Sequence, residues 1–306
     1  MAEGAIGHPA QRGRWAAVAV LVFGACVIGF SGILVRLTGT GPAAAGVWRL
    51  GAALPLLAIM ARTTTGGVGR PKRILLIAGL MFALDLGFWH YGIKYTSVGA
   101  STVLSNLTPV VVTAFAWIFL KQRPRMLFLA AMAVAVAGAW MMGIGRGAGT
   151  PVLNAPLGDA LSLTTAFWYA LYFLTISEAR KTESTNRLMF WSSATGAPLL
   201  LITALALHEQ ILPTTTAGLA ACIGLGLVHI GGQGSIAWAM GRLPTSLASV
   251  VVLVQPVVAT YAGFLLFGEA LGPLQTAGAV VALAGVVLAQ WASRPGPVRA
   301  AAESPT

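Results

Sequence analysis

Pro109-Val-Val-Val-Thr113 and Pro256-Val-Val-Ala-Thr260 are one five-residue phrase written twice, 147 residues apart. The match extends in both directions: Val103 to Gly138 aligns with Val250 to Gly285 without a gap, at 11 identities in 36 positions. A second patch sets Val134-Ala-Val-Ala-Gly138 against Val281-Ala-Leu-Ala-Gly285. Self-similarity at a fixed offset marks an internal repeat. What kind of unit repeats depends on the solvent the chain is built for.

That solvent is lipid. The 306 residues are 57% hydrophobic and 9% charged, with a mean hydropathy of +0.82. Soluble domains carry about 25% charged residues. Composition excludes nucleic-acid binding, disulfide scaffolds and disorder. Apolar runs bounded by charge, glycine or proline fall at about 15–36, 43–61, 74–93, 98–120, 126–144, 157–177, 188–207, 217–239, 246–267 and 273–292. Each is long enough to cross roughly 30 Å of hydrocarbon as a helix, and backbone exposed to lipid allows few alternatives. The first run follows Arg12 and Arg14 but is long, ends in Arg36 and shows no small-residue cleavage site, so it reads as a span and not a signal peptide. The loops between ten such spans leave no room for a soluble domain.

With the N-terminus in the cytoplasm, Arg12, Arg14, Arg62, Arg70, Lys72, Arg73, Lys121, Arg123, Arg125, Arg180, Lys181, Arg187, Arg242, Arg294 and Arg299 all fall inside. Only Arg36, Lys94 and Arg146 fall outside. The net charge of +11 therefore reports topology, with both termini inside, and not an acidic partner. Cys26 and Cys222 lie in apolar runs without a CxxC or a histidine at ligand spacing, so neither a disulfide nor a metal is expected.

The repeat splits the chain into halves at 15–144 and 157–292, with tails 1–14 and 293–306 in the cytoplasm. Five spans is an odd number, so the second half enters the membrane inverted. The expected fold is an all-α polytopic membrane protein of ten transmembrane helices, arranged as two inverted five-helix repeats around a central cavity. Inverted repeats suit secondary transport, because two inverted copies can exchange conformations and open alternately to each side.

Leu253-Val-Gln-Pro256-Val, then Phe267-Gly-Glu269, Gln275, Gly278 and Gly285, resemble the EamA module of the drug/metabolite transporter superfamily. The first half fits more loosely, with Lys121-Gln-Arg-Pro124 where the module has Gly-Glu, but it keeps Lys94-Tyr-Thr-Ser97 and Leu107-Thr-Pro109. The resemblance implies an exporter of amino acids, metabolites or toxic compounds in the bacterial inner membrane. Amino-acid exporters of the YddG type share the ten-helix plan. It also implies a cavity lined mainly by helices 1, 3, 4, 6, 8 and 9, with helices 5 and 10 peripheral.

An ionisable side chain in hydrocarbon needs a cavity or a partner. Few candidates exist. Asp85, the one carboxylate deep in a span, is either a proton carrier or the ion-pair partner of Arg49. His90 either binds a substrate carboxylate or satisfies a backbone carbonyl. His229 and Gln233 in span 8, Asn106 in span 4 and Gln255 in span 9 complete the polar set. In span 4, Thr102, Ser105, Asn106, Pro109 and Thr113 share a stripe at 100° per residue, and Thr108 adjoins it. The stripe faces either the cavity or a neighbouring helix. Pro109 frees the Ser105 carbonyl and permits a bend. Pro256, its repeat mate beside Ser249 and Thr260, gives a second hinge.

Trp15, Trp117, Trp191 and Trp291 read as interfacial anchors. Trp168, Tyr169 and Tyr172 sit too deep for that and read either as core or as a surface for aromatic or amphipathic solutes. Tyr91 and Trp238 join this aromatic set. Glu269, just ahead of Pro273, reads as a helix N-terminal charge.

The expected function is export of small organic solutes, foremost amino acids including aromatic or hydrophobic ones, by alternating access. Multidrug or other metabolite export is the alternative. An intramembrane lipid-modifying enzyme is remote, since its chemistry needs clustered carboxylates or a nucleophile with a base. No GxxxxGK[ST] sequence is present, so a substrate gradient or ion coupling must drive transport. The expected partners are a small-molecule substrate and membrane lipid, with no nucleic acid and no cofactor. Oligomeric state is not readable.

Overall fold

Proline placement explains much of how this chain breaks into helices. The computed structural model describes residues 9–96, 101, 104–119, 121, 123–145, 153–267 and 272–293. Among these, every regular element is helical. Seven helices are long and apolar enough to span a membrane: Gly13–Leu37, Pro42–Thr65, Arg73–Tyr95, Ala155–Ala179, Thr185–Ala206, Thr216–Met240 and Pro273–Ala292. Three shorter apolar helices, Thr108–Ile118, Met126–Met142 and Thr245–Ala259, fill the remaining places. In chain order these are spans 1 to 10, at the places the apolar runs predict. Thr102, Arg146, Glu269, Arg294 and Arg299 lie outside the described residues.

Among the described residues turns break four spans, one of them span 1 at Phe30 and the other three just ahead of a proline. Turns interrupt span 2 at Ala52 and Ala53 before Pro55, span 4 at Asn106 and Leu107 before Pro109, and span 9 at Val252 and Leu253 before Pro256. Proline lacks the N–H that an α-helix needs and its ring crowds the preceding turn. Pro198, by contrast, lies within the unbroken helix Thr185–Ala206. Side-chain caps begin spans 6, 7 and 8, where Asn154, Ser184 and Thr215 accept from the N–H groups of Leu157, Arg187 and Gly218 at 3.2, 3.3 and 3.0 Å.

The packing repeats with the sequence. Span 3 packs on span 6 as span 8 packs on span 1; span 4 meets span 6 as span 9 meets span 1; span 3 meets span 7 as span 8 meets span 2. Spans 2 and 7, 4 and 9, and 5 and 10 pair with their own mates. The fold is two inverted five-helix repeats.

Spans 5 and 10 show the relation atom by atom. A Cβ on Gly138 would lie 2.2 Å from the backbone nitrogen of Ala282, and a Cβ on Gly285 would lie 2.3 Å from that of Ala135. The 147-residue shift carries Gly138 onto Gly285 and Ala135 onto Ala282, so the two contacts are mates. Small residues let the backbones touch, which is how helices associate where water supplies no hydrophobic drive. Large apolar side chains such as Ile59, Ile118, Phe119, Leu265 and Val287 are exposed at the periphery, where lipid tails would cover them.

Candidate functional site

A core cut off from water and from lipid headgroups should satisfy every polar atom it contains. This one does not. Buried atoms without a hydrogen-bond partner include Arg49 Nε, Asn106 Nδ2, Trp168 Nε1, the Tyr172 hydroxyl, His229 Nδ1, both amide atoms of Gln233 and Gln255 Nε2. Several of these residues converge from spans 2, 6, 8 and 9 on one place, where span 3 meets them.

Phe82 is the hub. Its ring stacks on Tyr172 at 4.4 Å and on His229 at 5.4 Å, and the Arg49 guanidinium lies 5.5 Å from its centroid. Tyr169 stacks on Tyr172 at 6.3 Å. Asp85, Gln255, Arg49 and Gln233 all lie near enough to act on the Tyr169 hydroxyl. Arg49 is 3% and Asp85 6% exposed. The two interact through space, yet they form no ion pair within 4.0 Å.

Local backbone explains part of this convergence. Span 8 opens into a π-helical turn, His229–Gln233, flanked by the α-helices Thr216–Val228 and Gly234–Met240. A π-turn widens the helix and is frequent at functional sites. Here both its ends, His229 and Gln233, are buried at 0% and 1% exposure. His229 Nε2 lies 2.9 Å from the Ser193 hydroxyl of span 7.

Below this cluster opens a cavity of about 650 Å³. Its wall includes Val20 and Phe23 of span 1, Leu57 and Met60 of span 2, Met189 of span 7, and Gly231, Gly234, Ser235 and Trp238 of span 8. Its rim is polar, with Thr64, Thr65, Arg180, Ser184, Thr185 and Asn186. Spans 2 and 7, which the resemblance does not include among the lining helices, form much of it. The rim belongs to the end of the molecule that carries the basic loops. Arg180 there donates from Nε to the Ala237 carbonyl at 3.2 Å and from Nη1 to the Glu183 carbonyl. Burial, and then the Arg242 charge, pull its pKa below the usual arginine value. Arg242 lies 3.7 Å from the centroid of the Trp238 ring, and Lys72 pairs with the buried Glu183.

At the opposite end hydrogen bonds tie the described residues of several spans together. Glu209, in the loop after span 7, accepts from the backbone N–H groups of Ala43 and Ala44 at 3.3 and 2.9 Å, and from the Tyr91 hydroxyl. Trp48 Nε1 donates to the Ile211 carbonyl at 2.9 Å, Gly41 N–H to that of Gln210 at 2.8 Å, and Thr96 to Asp159 at 2.7 Å.

The sequence-predicted residues therefore divide. Arg49, Asp85, Tyr169, Tyr172, Gln233 and Gln255 come together, and Trp238 lines the cavity. Trp168 packs against Phe88 and Phe167 beside them. His90 satisfies the Pro42 carbonyl through Nδ1 at 2.7 Å, one of its two readings. Tyr91 belongs to the Glu209 tie. The Ser105 carbonyl freed by Pro109 accepts from the Thr108 hydroxyl at 2.9 Å, so Thr108 repairs the break. Asn106 and Pro109 lie at that break, and Pro256 lies at its mate in span 9. Thr113 faces span 5, with its hydroxyl 3.4 Å from the Met132 sulfur. Sequence reasoning missed Phe82, Ser193 and Glu209. Phe82 looks like any core aromatic, and nothing local links Glu209 to span 2.

A family model described as the EamA-like transporter family matches residues 15–144 and again 156–291. A probable terminal-alkyne amino-acid exporter of Streptantibioticus cattleyicolor is 26% identical over 285 residues, 91% of this chain and 93% of its own length. An uncharacterized transporter of Archaeoglobus fulgidus is 26% identical over 223 residues, 72% of this chain and 78% of its own. One solved crystal structure superposes with a TM-score of 0.75 over 90% of this chain and 98% of that chain at 17% identity, which supports the fold.

Proposed function

The chain belongs to the EamA-like transporter family, and from that premise we propose that this multi-pass membrane transporter exports amino acids from the cytoplasm by alternating access. The observation that carries the reading is the buried group of unpartnered polar atoms set above a cavity at the basic end. Such atoms are costly in a closed core and are explained by a polar solute that passes through. The Streptantibioticus relative, named as a probable amino-acid exporter and aligned over most of both chains, supports the substrate class.

The basic loops favour the cytoplasm for the cavity end. On that assignment the conformation is open inward and tied outward by Glu209. The units that rock against each other would be residues 15–144 and 157–292, with both tails cytoplasmic in a bacterial inner membrane. The mated helix breaks at Pro109 and Pro256 are suited to bend when access switches. Asn106, Gln255 and Trp168 would border the path. The apolar cavity wall of Val20, Phe23, Leu57 and Met60 favours a second reading, export of lipophilic drugs.

Counterflow separates the two. Proteoliposomes preloaded with unlabelled amino acid should accumulate labelled phenylalanine, threonine or methionine, and a Tyr172→Ala variant should lose that exchange. Folded protein that exchanges none of them but extrudes lipophilic dyes would replace the first reading with the second.

A further inference from the structure

Arg49 and Asp85, which carry opposite charges when ionised, are held deep between helices, close enough to interact and yet not joined. A structural ion pair in so dry a place is worthwhile only when closed, with its remaining hydrogen bonds satisfied. This pair is open, and the groups around it are also unsatisfied. Donors without acceptors sit beside Arg49: its own Nε and the Tyr172 hydroxyl. The Gln233 amide lies near the Tyr169 and Tyr172 hydroxyls without a hydrogen bond at either of its atoms, so it can turn either end to a ligand.

Resting on the amino-acid reading above, we propose that Arg49 and Asp85 are the two poles of a zwitterion site: the guanidinium takes the α-carboxylate and the Asp85 carboxylate takes the α-ammonium. The argument is one of charge matching. The pair is neutral as a whole but polarised. A ligand that is itself neutral as a whole and polarised satisfies both poles. A simple anion leaves Asp85 unmatched, and a simple amine leaves Arg49 unmatched. Either leaves a charge without its partner in a medium of low dielectric, where the penalty is large. The stacked rings of Phe82, Tyr172 and Tyr169 put aromatic surface beside the two poles for the remainder of the solute. The transported class is then α-amino acids with both groups free, and esters, decarboxylated amines and deaminated acids are excluded.

The test uses the full chain in proteoliposomes and follows counterflow of labelled phenylalanine against four competitors: phenylalanine, its methyl ester, phenethylamine and 3-phenylpropionate. In the wild type each analogue should need roughly 100-fold more than phenylalanine to compete, because each strands a buried charge. Arg49→Gln should lose the preference over phenethylamine and the ester but keep that over 3-phenylpropionate, and Asp85→Asn the reverse. Arg49→Lys should restore part of the discrimination. Equal competition by all four in wild type that carries phenylalanine would overturn the zwitterion site and leave amino-acid export standing. No exchange of phenylalanine, threonine or methionine by folded protein would overturn both. If the variants do not fold, the wild-type competition series decides alone.

Discussion

The rings of Phe82 and His229 stack at 5.4 Å and 21°, and the 147-residue shift carries one residue onto the other. A position that touches its own repeat mate lies on the axis relating the halves, so the pseudo-two-fold passes between spans 3 and 8. The repeats differ in chemistry at that point. One carries an inert ring, and the other carries an imidazole that lies 2.9 Å from the Ser193 hydroxyl.

Phe82 should therefore matter more to stability than a typical core phenylalanine. It is 1% exposed and carries Tyr172, His229 and Arg49 on its faces. Phe82→Ala is expected to cost about 3–5 kcal/mol, and Phe82→Leu, which keeps most of the volume, under about 2 kcal/mol. Cys222 is a built-in reporter, since it is free and fully buried. A thiol-reactive dye followed during heating in detergent should show the midpoint falling in that order. Equal midpoints for wild type and Phe82→Ala would remove Phe82 from the hub.

Gly138 and Gly285 make mated contacts, so their variants should behave as a pair. An alanine Cβ at either position meets backbone atoms at 2.2 or 2.3 Å, and spans 5 and 10 must separate to admit it. Gly138→Ala and Gly285→Ala should each destabilise by about 1–3 kcal/mol, with matching losses of monodisperse protein on size exclusion. Gly32→Ala, where a Cβ would meet nothing within 4 Å, is the control. A large effect at one glycine and none at the other would break the symmetry that the repeat implies.

The architecture was legible because hydrocarbon is a strict solvent: ten apolar runs, a charge bias and a repeated phrase leave few folds open. The site was only partly legible. Composition exposes Arg49, Asp85 and Gln233 as polar groups that lipid will not solvate. It does not say that they meet, because the contacts run across spans with no local periodicity. Gln233 and His229, four residues apart, fall on one face in any helical reading, but nothing in the sequence marks the π-turn that joins them. Tyr91 and His90 stayed open for a related reason. Their partners, Glu209 and the Pro42 carbonyl, are distant in sequence, so local reading could not choose between a substrate role and a structural one.

Glu209 should govern how often the outer end opens. Its carboxylate accepts two backbone N–H groups of span 2 and the Tyr91 hydroxyl. Hydrogen bonds to a charged group contribute about 1.5–3 kcal/mol each. Glu209→Ala should therefore raise the outward-open population by about tenfold or more, the shift that roughly 1.4 kcal/mol produces. In a background with Cys26 and Cys222 replaced by alanine, a cysteine introduced as Ala44→Cys is the probe, since Ala44 is fully buried in the tied state. A membrane-impermeant maleimide added from outside should label it correspondingly faster when Glu209 is replaced. Unchanged labelling would mean that the tie does not hold the outer end.

Span 8 offers neighbouring glycines with opposite expectations, and together they test whether the cavity is the route. A Cβ on Gly231 or Gly234 meets nothing within 4 Å, because both face the cavity. A Cβ on Gly232 meets Ile28 side-chain atoms at 2.8 Å. Gly234→Leu should therefore fill the passage while leaving the fold intact, and stabilise it by about 0.5–1 kcal/mol, because glycine is a poor residue in a helix interior. Counterflow should fall by about tenfold even so, since misplacing a bound solute by an ångström is costly. Gly232→Leu should instead lower the thermal midpoint, because it forces span 8 away from span 1. Gly234→Leu with normal transport would mean that solute travels elsewhere, whatever Gly232→Leu does. Lost transport at normal stability for Gly234→Leu, with lost stability for Gly232→Leu, would place the path on the 231–234–235–238 face of span 8.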